Sequence, residues 1–139
     1  MRLGGARLIV AVLSVAAAAG CTSSDRPEDP VWGKQPCEHC HMVVSDPRFA
    51  AQLVTRAGDR VHFDDVGCMA KYLVERNPEV AQLWVKSASG VWTDALGQRY
   101  SAGHQTPMGY GFAADNAGTL DFAAVRRAAA QTNLQAGAP

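Results

Sequence analysis

Six consecutive residues, Cys37-Glu38-His39-Cys40-His41-Met42, gather two thiols, two imidazoles and a thioether in a chain with four cysteines. Donors of that kind at that density describe a soft-metal site. Thiolates serve copper(I) and zinc alike, whereas a thioether suits copper(I) and is a poor zinc ligand. Met42, two residues after Cys40, therefore tilts the set toward copper(I). A methionine beside a cysteine pair is more often core packing; here the surrounding donors reverse that weighting. His39 and His41 stand as further donors, since imidazole also suits copper.

The redox setting follows from the start of the chain. Arg2 and Arg7 precede an apolar run, Leu8 to Ala19, that is short for a membrane span, so residues 1–20 read as a signal peptide. The run closes on Ala18-Ala19-Gly20-Cys21, which resembles a bacterial lipoprotein cleavage site; an ordinary leader cut near Ala19 is the other reading. Cys21 is then the lipidated residue, and the mature chain keeps 139 − 20 = 119 residues. Thr22 to Val31, with Pro27 and Pro30 and little to bury, reads as a tether. The division expected is signal peptide 1–20, lipid-anchored tether 21–33, one folded domain 34–132 and a frayed tail 133–139. The protein belongs on the periplasmic side of a bacterial membrane or at the cell surface.

With Cys21 spent on lipid, Cys37, Cys40 and Cys68 remain, and an odd number of exported thiols leaves one free or holds a metal. A Cys37–Cys40 disulfide is the competing outcome in an oxidising compartment. The 13 basic and 13 acidic side chains cancel without forming a basic stripe, which argues against a nucleic-acid partner. No Ser/His/Asp set, phosphate loop or carboxylate pair stands out, so no enzyme is expected.

The elements that position these donors alternate between strand and helix periodicity, an α+β pattern. Arg48 to Thr55 alternates as a strand, Gly58 turns the chain, and Arg60 to Phe63 returns as its partner. Asp64-Asp65 opens a helix with Val66, Met69, Ala70, Leu73 and Val74 as its buried stripe, ended by Asn77-Pro78. Cys68 lies about 200° around that helix from Val66, off the stripe. It also sits in the first turn, where the helix dipole favours a thiolate; packing and function stay balanced, with packing slightly ahead. Val80 to Ser87 is a third strand. Val91 to Ala95 and Gln98 to Ala102 read as a hairpin around Leu96-Gly97, Thr119 to Phe122 as a last strand, and Ala123 to Gln131 as a closing helix. The pattern suggests two ββαβ-like halves, the second with a shortened helix. Between its strands, Thr106-Pro107-Met108-Gly109 holds a thioether at the crest of a shaped loop, Pro107 fixing φ before it and Gly109 permitting a bend after it. On these residues alone, Met108 filling an apolar gap under the loop is slightly favoured over a ligand role.

Taken together, Cys37, Cys40, Met42, Val44 and Asp46, the Phe63-Asp64-Asp65 helix opening and the Thr106-Pro107-Met108-Gly109 loop resemble the NosL family. These are periplasmic copper chaperones of nitrous oxide reductase maturation. The two methionine-bearing elements stand 108 − 42 = 66 residues apart, and the resemblance runs from Cys37 to about Phe122. It implies a lipid-anchored protein of two ββαβ units, similar in topology to organomercurial lyase, that binds one Cu(I). It also implies Cys40 as the anionic anchor with Met42 and Met108 as neutral ligands. Cys37 is then a second thiolate or the disulfide partner that protects Cys40. The partner implied is a copper-receiving enzyme or its maturation machinery. His41 stands where many members carry Gly. Two rival readings remain: a structural zinc site drawing on Cys37, Cys40, Cys68 and a His, and a thiol–disulfide oxidoreductase using Cys37 and Cys40. The second needs its first Cys at a helix N-terminus, and the sequence after Cys40 is not helical.

Overall fold

Ala51 and Leu53 alternate with Gln52 and Val54, and a period of two places each pair on its own face of a strand. In the computed structural model, which describes residues 26–133, Ala51–Thr55 forms β1. The turn through Gly58, at φ +95°, returns the chain as β2, Arg60–Phe63, in antiparallel register with Ala51 opposite Phe63. Asp65 then caps α1, Val66–Arg76, its carboxylate accepting the Gly67 N–H at 2.8 Å. Asn77 ends the helix in the left-handed region, at φ +44°. β3 (Val80–Lys86) pairs with the other edge of β1, and β4 (Trp92–Asp94) follows it, giving an antiparallel sheet of order β2-β1-β3-β4. β5 (Tyr100–Ala102) and β6 (Phe112–Ala114) make a separate two-stranded sheet, and α2 (Phe122–Gln131) closes the described fold.

The architecture is α+β, and the signals in the first half map closely onto it. The first strand starts at Ala51 instead of Arg48, because a turn carries Asp46 to Phe49, whose N–H reaches the Asp46 carbonyl. The second half differs. The expected β4–β5 hairpin around Leu96-Gly97 does not form: β4 extends the large sheet while β5 pairs with β6. Tyr100 explains the separation. Its side chain is fully buried and its hydroxyl donates to the Ala95 carbonyl at 2.7 Å, which draws β5 under the core instead of along the β4 edge. The expected strand Thr119 to Phe122 shrinks to Leu120, which exchanges two backbone hydrogen bonds with Tyr100 before Asp121 caps α2. No helix separates β5 from β6.

Ala51, Leu53, Phe63 and Val85 share one face of the sheet and pack on Met69 and Leu73 of α1, with Tyr72 tilted on Phe63 at 5.3 Å between ring centres. Val74, expected in that stripe, is exposed. Lys71 reaches across to the last carbonyls of α2, at 3.2 Å from Ala130 and 3.3 Å from Thr132, where a cation complements the helix dipole.

The opposite face of β1 carries Gln52, fully buried, and a buried amide requires partners. It finds them in the N-terminal segment: its side chain bonds the Glu28 N–H at 3.4 Å and the Glu28 carbonyl at 3.0 Å. Arg60 donates to Gln52 and pairs with the Glu28 carboxylate at 3.2 Å. Asp29 takes Lys86 Nζ and Trp92 Nε1, each at 2.8 Å, and Lys86 sits between the faces of Trp32 and Trp92. The later part of the expected tether is thus a strap belonging to the fold. The signal peptide and Cys21 lie outside the described residues, as does all of the tail beyond Asn133. Among the described residues no helix is long and apolar enough to cross a membrane.

The strap sets a sharp boundary. A chain beginning at Pro30 loses Glu28 and Asp29, and with them the bonds these make to Gln52, Arg60 and Lys86. Its melting temperature should fall by about 5 °C or more, the shift that ~1 kcal/mol produces in a domain of this size, measured by circular dichroism.

Candidate metal centre

Pro36 and Val43 face each other as an antiparallel bridge, so residues 37–42 form a tight loop between them. The Cys37 N–H reaches the Met42 carbonyl at 2.7 Å and the His41 N–H the Cys37 carbonyl at 2.9 Å. Closing this loop puts His41 at φ +62°, a left-handed conformation that costs a side-chain-bearing residue about 1 kcal/mol. The same curl aims amides at sulfur. The Cys40 and Asp64 N–H groups donate to Cys37 Sγ, and the Met42 N–H donates to Cys40 Sγ.

The third thiol arrives from α1. Cys68 is in the first helical turn and fully buried, and its Sγ lies with those of Cys37 and Cys40, all within 4.8 Å of one another. A metal about 2.3 Å from each of three thiolates holds them roughly 4 Å apart, so the trio is already near the spacing an ion requires. All three are free thiols. The helix side opposite Val66 faces the cysteine loop, so Cys68 is buried and lies beside Cys37 and Cys40 instead of at a distance from them. The sequence carried two hints of this, the first-turn position and the odd thiol count.

The cluster shares its protons unequally. Cys37 is pulled far below the usual thiol range because Cys40 and Cys68 both donate to it. Cys40 is pushed up to about 11, chiefly as the donor to Cys37, and Cys68 is raised further by donating to both neighbours and by burial. A metal that takes all three sulfurs must displace whatever thiol protons remain.

The other expected ligands are placed in different ways. Cys40 keeps 7 % exposure while Cys37 and Cys68 have none, so Cys40 is the least enclosed of the three. Met42 is exposed, and with Val43, Gln105, Thr106 and Pro107 it lines a cleft between the cysteine loop and the Met108 loop. Met108 is half-buried against the core. Its loop turns as expected: Gly109, at φ +72°, closes on the Thr106 carbonyl at 3.0 Å. His39 is committed elsewhere, Nδ1 at 3.6 Å from Glu75 and Nε2 at 3.4 Å from the Tyr110 hydroxyl. His41 is exposed.

Two neighbouring carboxylates brace the site. Asp64 accepts the Ser45 N–H at 2.9 Å, tying down the strand that leaves the cysteine loop. Asp65, fully buried, caps α1. Burial raises both carboxyls above their ordinary range. Tyr110 covers Gly67: a Cβ built there would meet Tyr110 side-chain atoms at 2.0 to 2.5 Å, so only glycine admits this approach. Burial, followed by the nearby Cys68 and Asp65, raises the Tyr110 phenol.

Fold and site together define an α+β protein with a candidate three-thiol metal centre. No family model, curated protein or solved structure matches the chain.

Two substitutions near the sulfurs should move stability in opposite directions. Gly67→Ala displaces Tyr110 and should cost about 1–3 kcal/mol, as overpacking does. His41→Gly relieves the left-handed residue and should gain up to about 1 kcal/mol. Urea unfolding of the metal-free protein under reducing conditions reads both.

Proposed function

We propose that the protein is a copper(I) chaperone. It holds the ion on Cys37, Cys40 and Cys68 and delivers it to an extracytoplasmic copper enzyme. The observation that carries this reading is the trio of buried sulfurs within 4.8 Å of one another, flanked by a cleft that Met42 lines. Lipid anchoring through Cys21, a periplasmic or cell-surface setting, and nitrous oxide reductase or its maturation machinery as recipient follow from the resemblance to the NosL family. So does the similarity in topology to organomercurial lyase. The observed succession β1-β2-α1-β3 is in keeping with one ββαβ unit.

The donor set favours copper(I) over a structural zinc. A structural zinc site is closed by four ligands, and the cluster supplies three. Both nitrogens of His39 already have partners. Copper(I) accepts two or three soft ligands, and the thioethers offered nearby are donors that zinc uses poorly. The ligand set implied by the resemblance is therefore enlarged: Cys40 remains the anchor, Cys37 and Cys68 join it, and Met42 and Met108 stand on the exchange side. An incoming ligand from the recipient reaches Cys40 past Met42, and transfer proceeds through shared coordination without a free ion. An oxidoreductase is less well supported, because neither Cys37 nor Cys40 lies at a helix N-terminus.

Anaerobic reconstitution of residues 22–139 with Cu(I) and Zn(II) in competition tests the reading. One Cu(I) per chain should bind and exclude zinc. X-ray absorption should count one sulfur fewer in Cys68→Ala, with affinity lowered by more than the roughly 10–100-fold typical of changes beside a ligand. Zinc retained against competing Cu(I) defeats the chaperone reading in favour of a structural zinc site.

A further inference from the structure

The Met108 loop and the Cys68 turn come from distant parts of the sequence, and the buried side chain of Asp65 hydrogen-bonds to both. Asp65 Oδ1 accepts the Gly67 N–H at 2.8 Å, while Oδ2 accepts the Met108 N–H at 3.3 Å. Thr106, hydrogen-bonded to the same carboxylate, accepts the Gly111 N–H at 3.1 Å through its hydroxyl. We infer that Asp65 is a positioning residue for copper binding, one oxygen fixing the helical turn that carries Cys68 and the other fixing the loop that carries Met108. The inference rests on the copper reading above and adds to it how the loop bearing the thioether is tied to the helical turn bearing Cys68.

A lesser cap would serve the helix. Ser, Asn and Asp are nearly equivalent at that position, yet a fully buried carboxylate is costly to maintain. Its second oxygen gives the reason: the Gly67 N–H and the N–H of Met108, 43 residues beyond Asp65, are satisfied at once. Ser caps with one short oxygen, and Asn accepts through one oxygen only. The base of the loop is closed by the His104 N–H on the Gly111 carbonyl at 3.1 Å and by Tyr110 on Gly67, while Asp65 reaches the Met108 amide itself. Gly103, Gly109 and Gly111, all at positive φ, make the backbone between more dependent on that bond. Freezing Met108 beforehand lowers the ordering cost of using it as a ligand.

Asp65→Asn separates the two duties, since the amide keeps the oxygen for Gly67 but presents NH₂ to Met108. On the mature chain, residues 21–139, two measurements are made. Without metal, hydrogen exchange at the Met108 amide should quicken in Asp65→Asn while the α1 amides keep their protection. With Cu(I), Asp65→Asn and Met108→Leu should each weaken binding about tenfold, the scale of one hydrogen bond to a charged group. The double variant should bind no more weakly than Met108→Leu alone. Unchanged exchange at Met108, or losses that add in the double variant, overturns the positioning role. So does a Met108→Leu variant that binds as the parent. A parent that takes no Cu(I) defeats the copper reading and Asp65's role toward copper with it, while the exchange data still decide whether Asp65 holds the loop.

Discussion

Three sulfur atoms from two segments meet where water scarcely reaches. Burial there disfavours a charged thiolate, and hydrogen bonding divides that penalty unequally. The two neighbouring thiols and the Cys40 and Asp64 backbone lower Cys37, while Cys40 and Cys68 are raised. The positive end of α1 lies close by, since Cys68 sits in its first turn. A metal ion that binds all three sulfurs has to displace the thiol protons this sharing retains.

That arrangement explains the otherwise awkward choices around it. His41 accepts a left-handed backbone because only a tight curl brings the Cys40 and Met42 amides onto sulfur. Gly67 forgoes a side chain so that Tyr110 can seal the helix turn beside Cys68. Asp64 and Asp65 are buried side by side at the mouth of α1, each holding a different strip of backbone in place. The large sheet supplies the platform: β2 runs directly into that acidic pair, and the Glu38 N–H bonds the His62 carbonyl at 3.0 Å, fixing the cysteine loop to the sheet edge. The strap through Glu28 and Asp29 covers the other face of the same sheet and feeds straight into the loop through Trp32.

Local signals were legible and long-range ones were not. The turn at Gly58, β2, the cap at Asp65, the start of β3 and the closing helix all follow from periodicity and capping chemistry within a few residues. The β4–β5 hairpin failed because turn residues at Leu96-Gly97 say nothing about Tyr100, whose burial is decided by the whole core. The strap was misread for a related reason. A Pro-rich, acidic stretch looks like a linker until Gln52, Arg60 and Lys86, all on strands far along the chain, offer it partners. At the site, Cys37 and Cys40 were visible in their spacing. Cys68 was obscured because a helical wheel assumes one buried face, whereas the first turns of α1 are buried from Val66 to Ala70. An amphipathic pattern describes a helix lying on one layer; α1 is enclosed by the sheet, the cysteine loop and Tyr110.

For the copper carrier proposed above, retention and release are opposed demands, and burial sorts the sulfurs between them. Cys37 and Cys68 have no exposure, which suits them to retention on that proposal. Cys40 has a sliver of exposure, and Met42, two residues on, is open to solvent. Thioethers are neutral, so exchanging one for another leaves the charge of a buried cluster unchanged, whereas exchanging a thiolate does not. On the same proposal a recipient would begin sharing the ion through neutral sulfur, and Cys40, the least enclosed thiol, would be the first thiolate given up.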